Sequence, residues 1–353
     1  MERIDELDGL RGLAIALVVL GHVVTGIGPY PRPGFGPSLA PYADLVASAG
    51  VQLFFALSGF LITSLLLRQV GRDGGVALRS FWLRRLRRLY PPLIVVAVAY
   101  VATMAVLPWT RGEAWTGHPW AGLGDVAMSL TYTSNFAWLF VPYSGWLGHT
   151  WSLAVEEQFY LAWPLVIAGV YRWRTGRGLV PIILASVVVV TILRVPGPGW
   201  ADERLLRWDA LLLGSLVAVL GWRTPRWLTW SALGVFAVLC AVDSDLSAVF
   251  YSGTALTAAL LVGGAHHLGW LRQPVLVHLG YISYSLYLWH VFVLRFAPPW
   301  WLALLLSLVI AELGYLFVER RFMAHPPPLR RVIDLRSTRG PAPTEDPARE
   351  SVP

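Results

Sequence analysis

The chain contains no lysine, so its 28 basic residues are all arginines. It has one cysteine, Cys240, which excludes an internal disulfide and any metal site built on several thiolates. Charged residues occupy only 14% of the 353 positions, against about a quarter in soluble domains. There is no Gly-rich nucleotide loop, no serine nucleophile elbow, and no His/Asp/Glu cluster with the spacing of a metal site. Repeats at solenoid or propeller periods are also missing.

Apolar sequence is what fills the chain. Hydrophobic residues make up 56% and aromatic residues 13%, and the mean hydropathy is +0.57. Apolar runs near the length of a bilayer crossing recur throughout, so the expected fold class is all-α, a polytopic transmembrane helix bundle. Candidate spans lie at 9–28, 45–67, 90–107, 150–171, 179–195, 204–221, 228–242, 248–268, 275–297 and 300–319, about ten helices. The formal charge of +7 does not point to nucleic acid. The arginines cluster in short segments between apolar runs, which reads as membrane orientation.

The segment 68–88 is the most basic and is expected to be a cytoplasmic loop, with 171–178, 222–227 and the arginines after 319 on the same side. Asp44, Glu113, Asp202, Glu203, Asp243 and Asp245 then fall on the opposite side, and both termini are cytoplasmic. This arrangement requires that 125–141 does not cross fully. The region 108–149 is read as an extracytoplasmic loop with a half-embedded piece, covered by protein or by a wet cavity. The acidic N-terminus (Glu2, Asp5, Glu6, Asp8), with no small-residue cleavage site after the first apolar run, favours a retained anchor over a removable signal. Residues 1–322 form the expected membrane domain, and the Pro- and charge-rich stretch 323–353 an expected disordered cytoplasmic tail with no soluble domain appended.

Polar groups inside apolar spans single out the chemistry. In the first helix Arg11 and His22 are eleven positions apart, so they share a face and lie roughly 16 Å apart along the axis. Asp8 is one turn before Arg11 on nearly the same face. Arg11 alone is equally well read as snorkelling to lipid phosphate. A histidine within a membrane helix is a functional candidate, and neutral imidazole suits a general base. In "WSLAVEEQFYLAWP" Ser152, Glu156 and Tyr160 are four apart and form one stripe, with Glu157 on another side. The stripe is either a structural hydrogen-bond seam or a functional one, in which Glu156 meets His22 and stabilises its cation. Arg84, Arg85, Arg87 and Arg88 crowd the entry to the third helix, where they serve orientation and lipid contact or hold a phosphate. Ser58 and Gly59 indicate close helix packing. His290 is read as structural or cavity-lining in preference to a second catalytic group, Asn135 as a buried amide near the outer face, and Asp209 as a partner of Arg207 or of another helix. His118, His266, His267 and His278 carry no assignment.

Five segments in order resemble the membrane acyltransferase family 3, from about residue 5 to 320. "LDGLRGLAIALVVLGH" fits its Arg/Lys-x10-His signature through Arg11 and His22, and "FFALSGFLI" its second-helix sequence. "RRLRRLYP" fits its Arg-Arg-x-x-Arg-x-x-Pro element through Arg84, Arg85, Arg88 and Pro91. "WSLAVEEQFYLAWP" and "YISYSLYLWH" resemble its later blocks. The last helix departs from the pattern, with Arg321 in "VERRF" where Glu-Arg-Pro is usual. The C-terminal hydrolase-like domain of some relatives is expected to be lacking.

The resemblance implies an integral-membrane O-acyltransferase of a bacterial cell membrane. Its donor is acyl-CoA, typically acetyl-CoA, with no metal. Its acceptor is a hydroxyl of a surface carbohydrate or a small molecule. On this reading Arg11, Arg84, Arg85 and Arg88 hold donor phosphates, and the pantetheine arm reaches His22 from that rim. His22 acts as base with Glu156 orienting it, and Ser152, Tyr160 or Asn135 donates to the oxyanion. An acyl-enzyme on His22 is the variant. A homo-oligomer is compatible with the sequence. The competing functional class is a transporter with an intramembrane His/Glu/Arg pathway. A non-catalytic membrane scaffold would explain the arginine clusters but not the stripes of Glu156 and His22.

Overall fold

The computed structural model describes residues 4–25, 39–111, 119–139, 147–174, 176, 178–194, 207–242, 247–296 and 299–323. Within them the chain is helical. Eleven α-helices follow one another: α1 (Asp5–Thr25), α2 (Ala40–Asp73), α3 (Leu78–Arg111), α4 (Pro119–Leu130), α5 (Trp151–Arg174), α6 (Leu179–Arg194), α7 (Asp209–Leu220), α8 (Arg226–Ala241), α9 (Ser247–Gly264), α10 (Pro274–Arg295) and α11 (Trp300–Phe317). Seven of them, α1, α2, α3, α5, α9, α10 and α11, are long and apolar enough to cross a membrane. α6, α7 and α8 are apolar but shorter, at 16, 12 and 16 residues. Each of the ten expected spans coincides with a helix. The tail from 324 onward, and the acidic positions Glu113, Asp202, Glu203, Asp243 and Asp245, lie outside the described residues.

One expectation needs correcting. The basic segment 68–88 is not a loop. α2 continues to Asp73 and α3 begins at Leu78, so only four residues separate two long helices. Gly74 closes α2 in the left-handed conformation (φ 74°), and its N–H bonds the Val70 carbonyl. The arginines of "RRLRR" are therefore helical. Their spacing sends Arg84 and Arg87 to the exposed surface and Arg85 and Arg88 inward.

The described segment after α3 holds only a short helix and a 3-10 turn. At 12 residues, α4 is about 18 Å long, well short of the roughly 30 Å of a hydrocarbon core. Beyond it Tyr132 takes a positive φ of 54° and a 3-10 turn follows over Ser134–Leu139. Protein covers this irregular backbone. Gln158 of α5 donates to the Tyr132 carbonyl at 2.8 Å and pairs reciprocally with the Asn135 amide at 2.9 and 3.2 Å.

Small residues decide which helices touch. α1 and α10 run in the same direction and meet at their backbones. A Cβ on Gly12 would overlap the Leu276 carbonyl oxygen, and one on Gly280 the Asp8 carbonyl oxygen. α2 packs on α7 in the same way, with Gly59 against the Leu211 carbonyl, as the small residues of "FFALSGFLI" imply. The opposite faces of α3 and α11 stay exposed, through Val98, Val106, Leu305 and Leu313, as suits helices facing lipid. The parallel α1–α10 contact is what brings the far ends of those two helices, and their histidines, together.

Candidate active site

A cavity of about 680 Å³ opens between α1, α2, α3, α5 and α10. That volume is within the roughly 300–1,000 Å³ usual for small-molecule sites. Arg11, Arg85 and Arg88 line it, together with the whole α5 stripe of Ser152, Glu156 and Tyr160. Glu157 lines it too, although helical spacing alone assigned it to another side. Arg84 is exposed and does not reach the cavity.

Each inward arginine already faces a carboxylate. Arg11 is 3.6 Å from Asp8, Arg85 is 3.5 Å from Glu157, and Arg88 is 3.7 Å from Glu319, which is fully buried at the start of the 3-10 turn Glu319–Phe322 after α11. Ser285 anchors the other oxygen of Glu319 at 3.0 Å. The Arg85 guanidinium also lies over the Tyr160 ring, 3.5 Å from its centroid. Glu156 has different company: the hydroxyls of Ser58 and Tyr160 both donate to its Oε1.

The structure does not bring Glu156 to His22. Instead His22 Nδ1 lies 3.0 Å from Nε2 of His290, and the two rings stack with centroids 5.2 Å apart. His290 is completely buried, and its Nδ1 faces the carbonyls of Tyr287 at 2.7 Å and Leu286 at 3.0 Å. Carbonyls only accept, so Nδ1 of His290 carries the proton. With both rings neutral, Nε2 of His290 is then an acceptor, His22 donates to it from Nδ1, and Nε2 of His22 keeps its lone pair. An imidazole fixed in this tautomer by a hydrogen bond to its other nitrogen is the arrangement of a general base. His290, read from sequence as structural or cavity-lining, is the partner that had been assigned to Glu156. The parallel course of α1 and α10 was the missing information.

His149 completes the group and was not singled out in the sequence. It sits in the 3-10 turn Gly148–Thr150 just before α5, edge-on to His290 with centroids 5.5 Å apart. Its place immediately before the "WSLAVEEQFY" block was the available signal.

Between the cavity and the histidines stands one seam. Tyr287 lines the cavity, and its hydroxyl donates to the His149 carbonyl. With that proton committed, the Ser152 hydroxyl is the donor of the 2.8 Å bond between Ser152 and Tyr287. None of the three histidines is among the cavity-lining residues, so the cavity stops at this pair. Asn135 is buried against Gln158 and does not line the cavity either. Asp209 pairs with Arg194 of α6 at 2.9 Å, the inter-helix partner of the two expected choices.

Residues 4–318 match a family model described as an acyltransferase domain. The chain belongs to this acyltransferase-domain family. A protein of Staphylococcus aureus (strain COL), named "Putative O-acetyltransferase", is 29% identical over 91% of this chain. The peptidoglycan O-acetyltransferase OatA of Listeria monocytogenes is 30% identical over 90% of it. YrhL of Bacillus subtilis, named "Putative peptidoglycan O-acetyltransferase", is 32% identical over 90%. This acyltransferase-domain chain spans little more than half the length of those relatives, 58%, 55% and 54% respectively. No solved structure matches it significantly. Seven membrane-length apolar helices and bacterial relatives make it a multi-pass bacterial membrane protein.

Proposed function

We propose that the chain transfers an acyl group, acetyl first of all, from an acyl-CoA thioester to a hydroxyl of a cell-surface carbohydrate such as peptidoglycan. The observation that carries this reading is the fixed tautomer of His22, whose Nε2 lone pair is left uncommitted by the Nδ1–His290 bond. The relatives' names support the acceptor class, and the arginine-lined cavity supports the donor class.

Arg11, Arg85 and Arg88 would take the donor's phosphates, since guanidinium forks pair with phosphate oxygens as they do with carboxylates. Phosphate then competes with Asp8, Glu157 and Glu319 for the same N–H groups. The thin pantetheine arm would run along the α5 stripe, past Ser152 and Tyr287. For the thioester to meet His22, the Ser152–Tyr287 bond must open. His22 Nε2 removes the acceptor hydroxyl proton as that oxygen bonds the thioester carbon. The C–S bond then breaks, and the thiolate recovers the proton from His22. His290 accepts the His22 Nδ1–H throughout and so holds the ring in register.

The test uses the full chain in lipid nanodiscs with acetyl-CoA and a soluble peptidoglycan fragment. Release of free coenzyme A and a mass gain of one acetyl group on the fragment are expected. His22→Ala should reduce turnover by about 10³-fold while donor binding persists, general-base catalysis being worth roughly 10²–10⁴. Full turnover in that variant, or uptake of substrate without thioester consumption, would overturn the proposal.

A further inference from the structure

The acyl-transfer reading leaves one group of the site without a task. His149 is only 9% exposed. Among the described residues neither of its ring nitrogens has a hydrogen-bond partner, and both are shielded from solvent. The Leu288 carbonyl lies beside the ring. The ring stands edge-on to His290 and tilted against Tyr287, with centroids 5.3 Å apart in the second case. A buried polar ring without partners calls for a physical explanation, and a task in binding substrate is one.

The neighbours narrow what that substrate group is. The hydroxyls of the α5 stripe and its neighbours, and the two paired imidazoles, already donate elsewhere. Ser58 and Tyr160 donate to Glu156, Ser152 to Tyr287, and Tyr287 to the backbone carbonyl of His149. His290 donates to two backbone carbonyls and His22 to His290. The candidate donors read from the sequence, Ser152, Tyr160 and Asn135, are thus committed elsewhere, Asn135 to Gln158. Attack on a thioester needs a donor where negative charge develops on the carbonyl oxygen. The ring N–H of His149, beside His290, has no acceptor among the described residues.

We infer that His149 is a catalytic residue that donates a ring N–H to the thioester carbonyl oxygen as it becomes an oxyanion. The inference rests on the acyl-transfer reading above. On attack, the hydroxyl oxygen bonds the carbonyl carbon, its proton passes to His22 Nε2, and the carbonyl π pair moves onto the oxygen facing His149. Collapse re-forms the carbonyl, expels the thiolate, and returns the proton from His22 to sulfur. His149 keeps its own proton throughout, so its role is separate from that of the base.

The experiment compares His149→Gln with His149→Met, side chains of similar size with and without an N–H, in the full chain in nanodiscs with acetyl-CoA and the soluble fragment. His149→Met should lower kcat by about 10²–10³-fold, the usual effect of losing one oxyanion donor, with the donor KM unchanged. His149→Gln should retain turnover within about tenfold of the parent. Should either fail to fold, His149→Asn and His149→Leu make the equivalent pair. Equal turnover in the donor-bearing and donor-less variants, whether high or low, overturns the inference. Absence of turnover in the parent chain would instead sink the acyl-transfer reading.

Discussion

At one end of the α1–α10 pair, cations meet carboxylates: Arg11 faces Asp8, Arg88 faces Glu319, and Arg272 grips Glu6 at 2.5 Å. At the other end, His22 meets His290 and His149 leans on both His290 and Tyr287, with no carboxylate among the contacts shown. The first end holds fixed charge, each positive group balanced by a carboxylate. The second is built on imidazoles, whose charge changes only when a proton moves, with one fixed cation, Arg295, near His149. A carboxylate placed there would carry a permanent charge and its desolvation cost. A neutral imidazole fixes the tautomer without that cost.

Variants at the two ends should therefore fail in different ways. The largest effect in this comparison is expected at the histidine end. His290→Phe keeps a buried ring but removes the acceptor for His22, and should lower kcat about 10²-fold with the donor KM unchanged, measured by coenzyme A release. His290→Gln, which retains an acceptor, should recover part of that loss, as a merely space-filling residue would not. A rise in donor KM in His290→Phe would erase the distinction between the ends. Next, Arg85→Ala should raise the donor KM about tenfold and leave kcat within a factor of three, a loss of uniform binding. The smallest effect is expected for Arg84→Ala, whose side chain faces outward. Its donor KM should stay within about twofold of the parent, and a tenfold rise would show that the donor reaches the outer face of α3.

Much of this contrast was legible from spacing. The i, i+4 stripe of Ser152, Glu156 and Tyr160 lines one cavity because four residues only slightly exceed one helical turn. The same rule splits Arg84 from Arg85 once α3 is known to start at Leu78, but a run of arginines reads equally well as loop or helix end. The His22–His290 pair was hidden for another reason. Its members are 268 positions apart, and their meeting depends on α1 and α10 running parallel over bare glycine backbones. Sequence shows that a helix has a small-residue face, not which other helix lies against it. His149 escaped notice because a histidine at a helix entrance has no periodic neighbours to mark it.

The Tyr287–Ser152 bond has a consequence for the cell. Should donor and acceptor approach from opposite faces of the bilayer, a continuous water-filled path between them would also conduct protons and dissipate the electrochemical gradient. On the proposed reading, two hydroxyls clasped across α5 and α10 would act as a bulkhead that parts for the thioester arm. Replacing Tyr287 would then matter less for chemistry than for leakage.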